Sequence, residues 1–286
     1  MRLQDYDTSK RFTATVVATE PITPEDAPIE VREIVLDIAG GDFDAAAGQN
    51  IGVLAPGQEA FGQENHFRLY SAADLPTRRP DGATRLPICV KRCTYVDDYN
   101  GEVYQGVASN YLCDLREGDT LTITGPHGQA FQAPDDPEAT LILIGAGTGI
   151  APFRAFLKSL FREASDYKGR VLLFHGGRTG MELLYMNDAR NDFSQYYDRE
   201  TFEAIEAFSP RPHWSDAIDW HGAMEERAGE LWERLQDAHT RVYLAGLESI
   251  RDELDSVFAK IAGSPEKWER RKAELTAGKR WVELLY

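Results

Sequence analysis

The stretch from Thr140 to Phe161, TLILIGAGTGIAPFRAFLKSLF, limits the possible folds of this chain more than any other. It opens with a run of apolar residues, which is the pattern of a strand buried on both faces. Glycines then occupy every second position from Gly145 to Gly149, and Pro152 stands where the first turn of a helix tolerates proline. Phenylalanine and leucine residues recur beyond it at helical spacing and form one apolar stripe. The stretch therefore predicts a strand, a glycine turn and a helix.

This order of elements is typical of a phosphate-binding site. A helix N-terminus offers unpaired N–H groups and the positive end of the helix dipole, and glycines let the backbone approach an anion closely. The spacing G-x-G-x-G differs from the usual dinucleotide fingerprint G-x-G-x-x-G, so a simple tight turn is the alternative. The strand and helix on either side favour the nucleotide-binding interpretation.

Composition excludes several classes of protein. No stretch approaches the roughly 20 apolar residues of a membrane span, and the first residues lack the apolar core of a secretory signal. The net charge of −16 argues against nucleic acid and anionic membrane as general partners. The cysteines, Cys89, Cys93 and Cys113, fit a reducing compartment better than a disulfide framework, and no Cys/His set completes a metal site. We therefore expect a cytoplasmic protein without a structural metal.

The first half of the chain has the pattern of a β domain. Short β-branched or alternating segments follow one another closely, as in a sandwich or barrel. They are Phe12–Thr19, Ile34–Ile38, Gln49–Leu54, Arg68–Ala72, Leu86–Tyr95, Glu102–Val107 and Leu121–Thr124. Asn100-Gly101 is the sharpest hairpin signal, and Ser109–Leu115 is a candidate short helix capped by Ser109. The proline- and acid-rich segment Ala133–Pro137 is the best linker, which predicts a domain over residues 1–137.

From Thr140 onward strands and helices alternate, which predicts a mostly parallel sheet with helices on both faces over residues 138–286. The predicted strands after the glycine turn are Arg170–Phe174, Phe202–Phe208, Arg241–Ala245 and Lys279–Tyr286. The predicted helices are Met181–Phe193, Ala223–Asp237 and Glu248–Ala262. The fold class is thus an antiparallel β-barrel domain followed by an α/β parallel-sheet domain.

Three short stretches of the β domain contain functional groups that a purely structural role does not require. Arg68-Leu69-Tyr70-Ser71 places a phosphate-binding guanidinium, a stacking ring and a hydroxyl on consecutive positions. An edge strand with a surface arginine is the alternative explanation. The second stretch, Ile88 to Tyr95, adds an aromatic ring and two cations, and the third, Gly106 to Asn110, puts a glycine before a helix start and so offers a second phosphate site.

Six motifs occur together in one order: R-L-Y-S, C-V-K-R-x-x-Y, G-V-A-S-N-Y-L-C-D-L, I-T-G-P-x-G, G-A-G-T-G-I-A-P-F-R and W-V-E-L-L-Y. Each motif is weak, but the series over Phe12–Tyr286 is specific, and it resembles the plant-type ferredoxin–NADP⁺ reductases. The resemblance implies an FAD-binding barrel over residues 1–137 and an NAD(P)-binding domain over residues 138–286.

The resemblance also implies the FAD contacts. They are Arg68, Leu69, Tyr70, Ser71, Cys89, Val90, Lys91, Tyr95, Gly106, Val107, Ala108 and Ser109. Arg68 would hold the diphosphate, together with the backbone N–H groups that follow Gly106. Tyr70 would stack on the isoalloxazine, Ser71 would hydrogen-bond near flavin N5, and Tyr95 would stack on the adenine.

A further set is implied for the nicotinamide nucleotide: Gly147, Thr148, Gly177, Arg178, Ser209, Arg211, Gly246 and Leu247. Ser71, Glu283 and Tyr286 would be catalytic. Glu283 would face Ser71, and Tyr286 would cover the flavin face that nicotinamide must reach. The alternative for Tyr286 is a ring packed at the end of a strand.

The chain departs from the family pattern at two places. Ala245 stands where the family has a cysteine beside the nicotinamide, which predicts slower hydride transfer. The family's Ser-Arg pair for the NADP 2′-phosphate is matched only by Ser209-Pro210-Arg211, and Trp220 falls about where a tyrosine is expected. NADP is therefore favoured, with Arg178 and Arg211 supplying positive charge, while NAD stays an alternative.

These inferences predict an FAD-dependent oxidoreductase that passes electrons between NADP(H) and ferredoxin or a similar iron–sulfur carrier. Carrier docking on so acidic a protein requires a local basic patch, for which the candidates are Arg78, Arg79, Arg85, Lys91, Arg92 and the cluster Lys267–Lys272. The alternatives are the NADPH-oxidising reductase component of a multi-component oxygenase and, in another class, a non-catalytic flavin- or nucleotide-sensing module.

Overall fold

The computed structural model describes residues 3–40, 42–57, 62–97, 99–129, 131–162, 166–197, 199–212 and 217–286, with the side chain of Gln4 left out. Contacts divide the chain into two compact units. The first is Met1–Gln132 with Ala151–Ser159, and the second is Ala133–Ile150 with Leu160–Tyr286. Each unit contains a hydrophobic core of its own.

The first unit is built on an antiparallel sheet of seven strands. The strands are β1 (Arg11–Pro21), β2 (Val31–Ile38), β3 (Asn50–Pro56), β4 (Asn65–Ser71), β5 (Thr77–Arg78), β6 (Thr84–Lys91) and β9 (Thr120–His127). Their order is β4-β3-β9-β1-β2-β6-β5. A bridge between Ala72 and Ile88 also brings the end of β4 beside β6. The sheet therefore curls round its apolar side chains as the barrel-like domain that the sequence predicts.

The predicted hairpin at Asn100-Gly101 is confirmed. Strands β7 (Thr94–Val96) and β8 (Val103–Gln105) pair antiparallel, and Gly101 takes a positive φ of 70° in the turn between them. Helix α1 (Val107–Asp114) follows directly. Its N-cap is Gly106 and not Ser109, because the hydroxyl of Ser109 accepts a hydrogen bond from the N–H of Cys93 instead.

The second unit is built on a parallel sheet of five strands, as predicted. The strands are β10 (Thr140–Ala146), β11 (Val171–Gly177), β12 (Phe202–Phe208), β13 (Thr240–Gly246) and β14 (Trp281–Leu285), in the order β12-β11-β10-β13-β14. Between β12 and β13 lie the helices α3 (Trp220–Glu225) and α4 (Ala228–Gln236), and between β13 and β14 lie α5 (Ser249–Ala262) and α6 (Pro265–Ala277). Parallel order sets the carboxyl ends of all five strands along one edge of the sheet.

The glycine turn and the helix after it follow the prediction. Residues 147–150 form a 3₁₀ turn, and helix α2 (Ala151–Arg162) begins with Pro152 in its first turn. The first nine residues of α2 belong to the first unit by their contacts. Phe153 and Phe156 pack on Phe131, and the buried guanidinium of Arg154 donates to the carbonyl of Ala73 at 2.7 Å.

Three helix predictions need correction. Met181–Phe193 holds no α-helix, only 3₁₀ turns at 180–182 and 192–196, because the Asn187 carboxamide accepts hydrogen bonds from local backbone N–H groups. The helix predicted over Ala223–Asp237 is divided into α3 and α4. Helix α6 was recognised only as a charged cluster and not as an element.

Candidate functional site

In the first unit, the end of β4 presents the side chains of the R-L-Y-S motif. Arg68 is exposed, and its guanidinium donates to the carbonyl of Phe67 at 2.8 Å. Burial raises the pKa of the Tyr70 phenol, so the ring stays neutral. The Ser71 hydroxyl donates to the Asn50 carboxamide oxygen at 2.7 Å. Ser71 thus keeps its lone pairs for a donor from outside the protein.

Asn50 was missed by the sequence analysis. It is 8 % exposed at the start of β3, directly opposite Ser71 in the β3–β4 register. A buried polar residue at a strand start needs a partner, but only the pairing register identifies Ser71 as that partner. A single sequence does not contain this information.

The β6 residues are divided between core and surface. Cys89 is 5 % exposed and Val90 is fully buried, whereas Lys91 is exposed. A ligand can therefore meet the first two chiefly through their backbone. The bridge between Ala72 and Ile88 sets this segment beside the end of β4.

The β7–β8 ribbon and helix α1 form the other part of the candidate site in the first unit. The Gly106 N–H donates to the Cys93 carbonyl at 2.9 Å, which joins the base of the ribbon to the helix start. The first bond within the helix runs from the Asn110 N–H to the Gly106 carbonyl, so the N–H groups of residues 107–109 have no acceptor inside the helix. At Gly106 a Cβ would come within 2.8 Å of the Ser109 hydroxyl. The helix start is thus a narrow cradle suited to an anion.

In the second unit, the glycine turn lies at the carboxyl edge of the parallel sheet. A Cβ on Gly149 would stand 2.3 Å from the Ala245 carbonyl oxygen, so only glycine allows the turn to lie against the end of β13. The Thr148 hydroxyl is hydrogen-bonded to the Tyr286 hydroxyl at 2.6 Å. The Tyr286 N–H donates to the Gly246 carbonyl at 3.1 Å. Three of the predicted positions, Thr148, Gly246 and Tyr286, therefore meet at this edge.

The ends of β11 and β12 bring the remaining nucleotide candidates together. Gly177 is paired with Phe208, so Arg178 and Ser209 leave the sheet side by side. Arg178 and Arg211 are exposed, and Ser209 is 5 % exposed.

Trp220 is a core residue. It is 2 % exposed, and a Cβ on Gly176 would come within 2.5 Å of its ring. Its ring therefore packs behind the strand ends and offers no face for stacking on a nucleotide. The expected counterpart of the family's tyrosine is absent at this position.

Glu283 lies on the helix-facing side of β14. Its carboxylate accepts from Arg251 at 2.8 Å and from the Trp281 indole at 2.7 Å, and it lies 3.4 Å from the Lys272 ammonium. Burial raises the pKa of this carboxyl, but the hydrogen bonds from Trp281 and Arg251 outweigh it and hold the pKa below its ordinary value. Alternation along the strand gives the opposite face to Leu284.

This placement describes the surroundings of Glu283 within the second unit, and its catalytic role beside Ser71 stays a prediction. Trp281 and Leu285, which share its face, belong to the helix-covered core of the second unit. The period of two along a strand places these three side chains on one face of β14.

Several of the candidate docking cations are already paired. Arg85 pairs with Asp37 at 2.7 Å, Arg92 with Glu30 at 2.6 Å, and Lys272 with Asp255 at 2.9 Å. The neighbouring carboxylates cancel much of their charge. Arg78, Arg79 and Lys91 are exposed, and the structure gives them no ion pair in the described part of the first unit.

Comparison with known proteins identifies the family. The model of the oxidoreductase NAD-binding domain matches residues 143–254. The chain is 35% identical to ferredoxin–NADP reductase leaf isozyme 1 of Arabidopsis thaliana, over 96% of this chain and 77% of that protein. It is 35% identical to the ferredoxin–NADP reductase of Thermosynechococcus vestitus, over 93% of this chain and 70% of that protein.

Solved structures show the same fold. Ferredoxin–NADP⁺ reductase from Plasmodium falciparum superimposes with a TM-score of 0.73 at 23% identity, covering 98% of each chain. A mutant of that enzyme, in complex with 2′P-AMP, also gives a TM-score of 0.73 at 21% identity. Among the described residues, no helix combines the length and apolar content that a membrane crossing requires.

The family and the fold class predicted from the motifs are both confirmed. The relatives match over nearly the whole chain, and this chain therefore belongs to the ferredoxin–NADP reductase family of oxidoreductases.

Proposed function

We propose that this protein is an FAD-dependent oxidoreductase of the cytoplasm that passes electrons between NADP(H) and ferredoxin or a similar iron–sulfur carrier. One observation carries the proposal. The R-L-Y-S strand end, the β6 end, the ribbon and the α1 start lie along connected elements of the first unit. Together they supply a stacking ring, a fixed hydroxyl and an anion cradle, which are the groups that a flavin dinucleotide needs.

The residues of the first unit fit FAD. We assign residues 1–137 to this cofactor. The N–H groups of residues 107–109 suit its diphosphate, because they lack acceptors within the helix and the cradle leaves no room for a Cβ at Gly106. Arg68 adds a cation for the same group. Tyr70 offers a neutral ring for the isoalloxazine, and Tyr95 an exposed ring for the adenine.

FAD, when bound, accepts or donates a hydride at N5 and exchanges single electrons with an iron–sulfur carrier. The protein's part is to orient and to bind. Because the Ser71 hydroxyl donates to Asn50, its free lone pairs would accept a hydrogen bond from an N–H group of the ring. Asn50 is therefore a positioning residue for Ser71.

We assign residues 138–286 to NADP(H). Gly147, Gly246 and Leu247 border the carboxyl edge of the sheet, where parallel α/β folds bind nucleotides. Arg178, Ser209 and Arg211 leave the neighbouring ends of β11 and β12, where two guanidinium groups favour a 2′-phosphate. The similar Plasmodium falciparum structure with 2′P-AMP supports this choice over NAD.

Tyr286 and Thr148 are proposed as the gate to this edge. The ring of Tyr286 is 52 % exposed and is held by its hydroxyl to Thr148. An entering nicotinamide would have to displace the ring and break this bond. Ala245, in place of a thiol, removes one polarisable contact there, so we expect slower hydride transfer with the reaction retained.

Glu283 is proposed as an anchor of β14. Its carboxylate is already engaged by Arg251, Trp281 and Lys272. We propose Ser71 and Tyr286 as catalytic residues, and the catalytic role of Glu283 stays a prediction.

The decisive experiment is anaerobic stopped-flow reduction of the purified flavoprotein by NADPH and by NADH at equal concentration. We expect rapid bleaching with NADPH and much slower bleaching with NADH. A faster reaction with NADH would overturn the 2′-phosphate assignment. Bound flavin that neither nucleotide reduces would indicate a sensing module, and a protein that binds no flavin would overturn the proposal as a whole.

A second experiment separates the electron acceptors. The NADPH-reduced protein is mixed with oxidised ferredoxin, and the reoxidation of the flavin is followed. Rapid transfer supports the proposed carrier. Failure to reduce ferredoxin, combined with acceleration of NADPH oxidation by an oxygenase component, would assign the protein to a multi-component oxygenase.

A further inference from the structure

The β7–β8 ribbon carries a pair of exposed tyrosine rings. Tyr95 and Tyr104 stand directly opposite each other across the ribbon. Their ring centroids are 5.5 Å apart and their planes are inclined by 20°, which is an offset stack. Tyr95 is still 56 % exposed. One face of its ring is thus covered by Tyr104 while much of the ring remains accessible.

Tyr104 is itself held in place by the hairpin. Its hydroxyl donates to the Glu102 carboxylate at 2.8 Å and accepts from the Asn100 carboxamide at 3.1 Å. The Asn100 carboxamide oxygen in turn accepts from the Glu102 N–H at 2.8 Å. The turn therefore fixes the ring of Tyr104, and that ring fixes the orientation of its neighbour.

The stacked pair lies at a suitable distance from the anion cradle. The ribbon meets helix α1 at the bond between Cys93 and Gly106, and the tyrosine pair stands two residues further along each strand. At the rise of a β-strand this separation is roughly 6–7 Å. A ribose connects phosphate and base over a comparable span in an adenine nucleotide. A diphosphate at the helix start would thus bring its adenine to the ribbon.

We propose that Tyr104 is a positioning residue for the adenine of FAD, a role that rests on the proposed cofactor. Its ring supports Tyr95 from behind, so that the adenine stacks on the accessible face of a ring already fixed in the binding orientation. Such preorganisation strengthens binding because less side-chain freedom is lost when the ligand is bound.

The test measures the affinity of the apoprotein for FAD and for FMN, which lacks the adenosine part. Tyr104→Ala should weaken FAD binding about fivefold, which is the range of an aromatic pair, and leave FMN binding unchanged. Tyr104→Phe keeps the ring but loses its hydroxyl bonds, so we expect a loss of about twofold. Tyr99→Ala is the matched control, because Tyr99 belongs to the same hairpin, is fully exposed and makes no ring contact within the described chain.

A double-mutant cycle completes the test. If Tyr104 acts through Tyr95, Tyr104→Ala should have no further effect on FAD affinity once Tyr95 is alanine. An unchanged FAD affinity in Tyr104→Ala would overturn the inference, as would an equal loss for FAD and FMN or full additivity in the cycle. A wild-type apoprotein that binds no FAD would instead overturn the proposed function.

Discussion

The candidate site residues of the two units are brought together by differently connected strands. In the first unit the groups come from short, continuous motifs on antiparallel strands and on the helix that follows the ribbon. In the second unit they come from the carboxyl ends of all five parallel strands, which lie far apart in the sequence. Antiparallel neighbours thus gather a site locally, whereas parallel strands gather it only through the complete sheet.

This difference has a consequence for packing. In the second unit the backbone of the glycine turn packs directly against the backbone of β13 at Ala245, so there is no room for an added side-chain atom. In the first unit backbone atoms also crowd Gly57, but at Gly52, beside the R-L-Y-S strand, the closest contacts are side chains of Phe67 and Thr124. Side chains can rotate away from an added atom, and a carbonyl in a strand cannot. We therefore expect an added methyl group to reduce stability more at the glycine turn of the second unit than at Gly52.

The largest expected effect tests this contrast. Gly149→Ala places a methyl group against the Ala245 carbonyl, and we expect a loss of about 3 kcal/mol in the free energy of unfolding. Gly52→Ala should cost about 1 kcal/mol, because its obstacles are side chains. The measurement is urea unfolding, with Gly229→Ala in helix α4 as the control that leaves the stability equal or higher. Equal losses of unfolding free energy in Gly149→Ala and Gly52→Ala would contradict the proposed difference between backbone and side-chain obstacles.

The second effect concerns acid sensitivity. Complete burial lowers the pKa of His175, on β11, to about 3. The unfolded state therefore binds the proton more readily, and stability that is complete above the ordinary pKa of 6.5 falls as the pH drops toward 3. Between pH 7 and pH 5 the loss is about 2 kcal/mol.

His175→Leu removes this proton, so its unfolding free energy should change less between pH 7 and pH 5 than that of the wild type. His66→Leu, on the half-buried β4 of the first unit, is the comparison and should change the pH profile only slightly. If the unfolding free energies of His175→Leu and the wild type depend on pH in the same way, the His175 imidazole is not the cause of the acid sensitivity.

The third effect concerns Glu283. Glu283→Gln keeps an acceptor for Trp281 but loses the charge that Arg251 and Lys272 face, so we expect a loss of about 1 kcal/mol in stability. Because the folded pKa is lowered, this contribution is present above the ordinary value of 4.5 and disappears as the pH falls through the folded pKa. The rate of flavin reduction should change little.

Urea unfolding at pH 7 and below pH 4 measures the stability difference, and stopped-flow reduction measures the rate. Glu269→Gln on the exposed side of α6 is the control. A large loss of rate with unchanged stability would support the catalytic role predicted for Glu283.

The smallest effect concerns the gate. Tyr286→Phe and Thr148→Val each remove the bond between the two hydroxyl groups. We expect NADP⁺ to bind about twofold more tightly to either variant, because an exposed hydrogen bond of modest strength no longer resists displacement of the ring. Titration of the oxidised protein measures this affinity. The double variant should match the single ones, and additive gains would show that the two hydroxyls act separately.

The sequence predicted well where the information is local. The strand–turn–helix at Thr140–Phe161, the hairpin at Asn100-Gly101 and the alternation of the second half are all present. Each depends on propensity, turn chemistry or hydrophobic period within a short window. Local patterns therefore predicted the architecture, whereas the positions of the candidate site are implied by the family resemblance and stay predictions.

The failures have one common cause, which is that pairing and burial are properties of the whole fold. Trp220 stood near an expected aromatic position, yet it fills the core behind Gly176. Asn50 carried no signal until the β3–β4 register placed it opposite Ser71.

Helix α2 sets a limit on how this protein can be recombined with its relatives. A chimaera joined at the linker Ala133–Pro137 would take Arg154 from one parent, while Asp74 and the Ala73 carbonyl that hold it came from the other. The buried guanidinium would then depend on compatibility between the parents at these few positions. In a successful chimaera, residues 151–159 must come from the same parent as the first unit, although they follow the linker in the sequence.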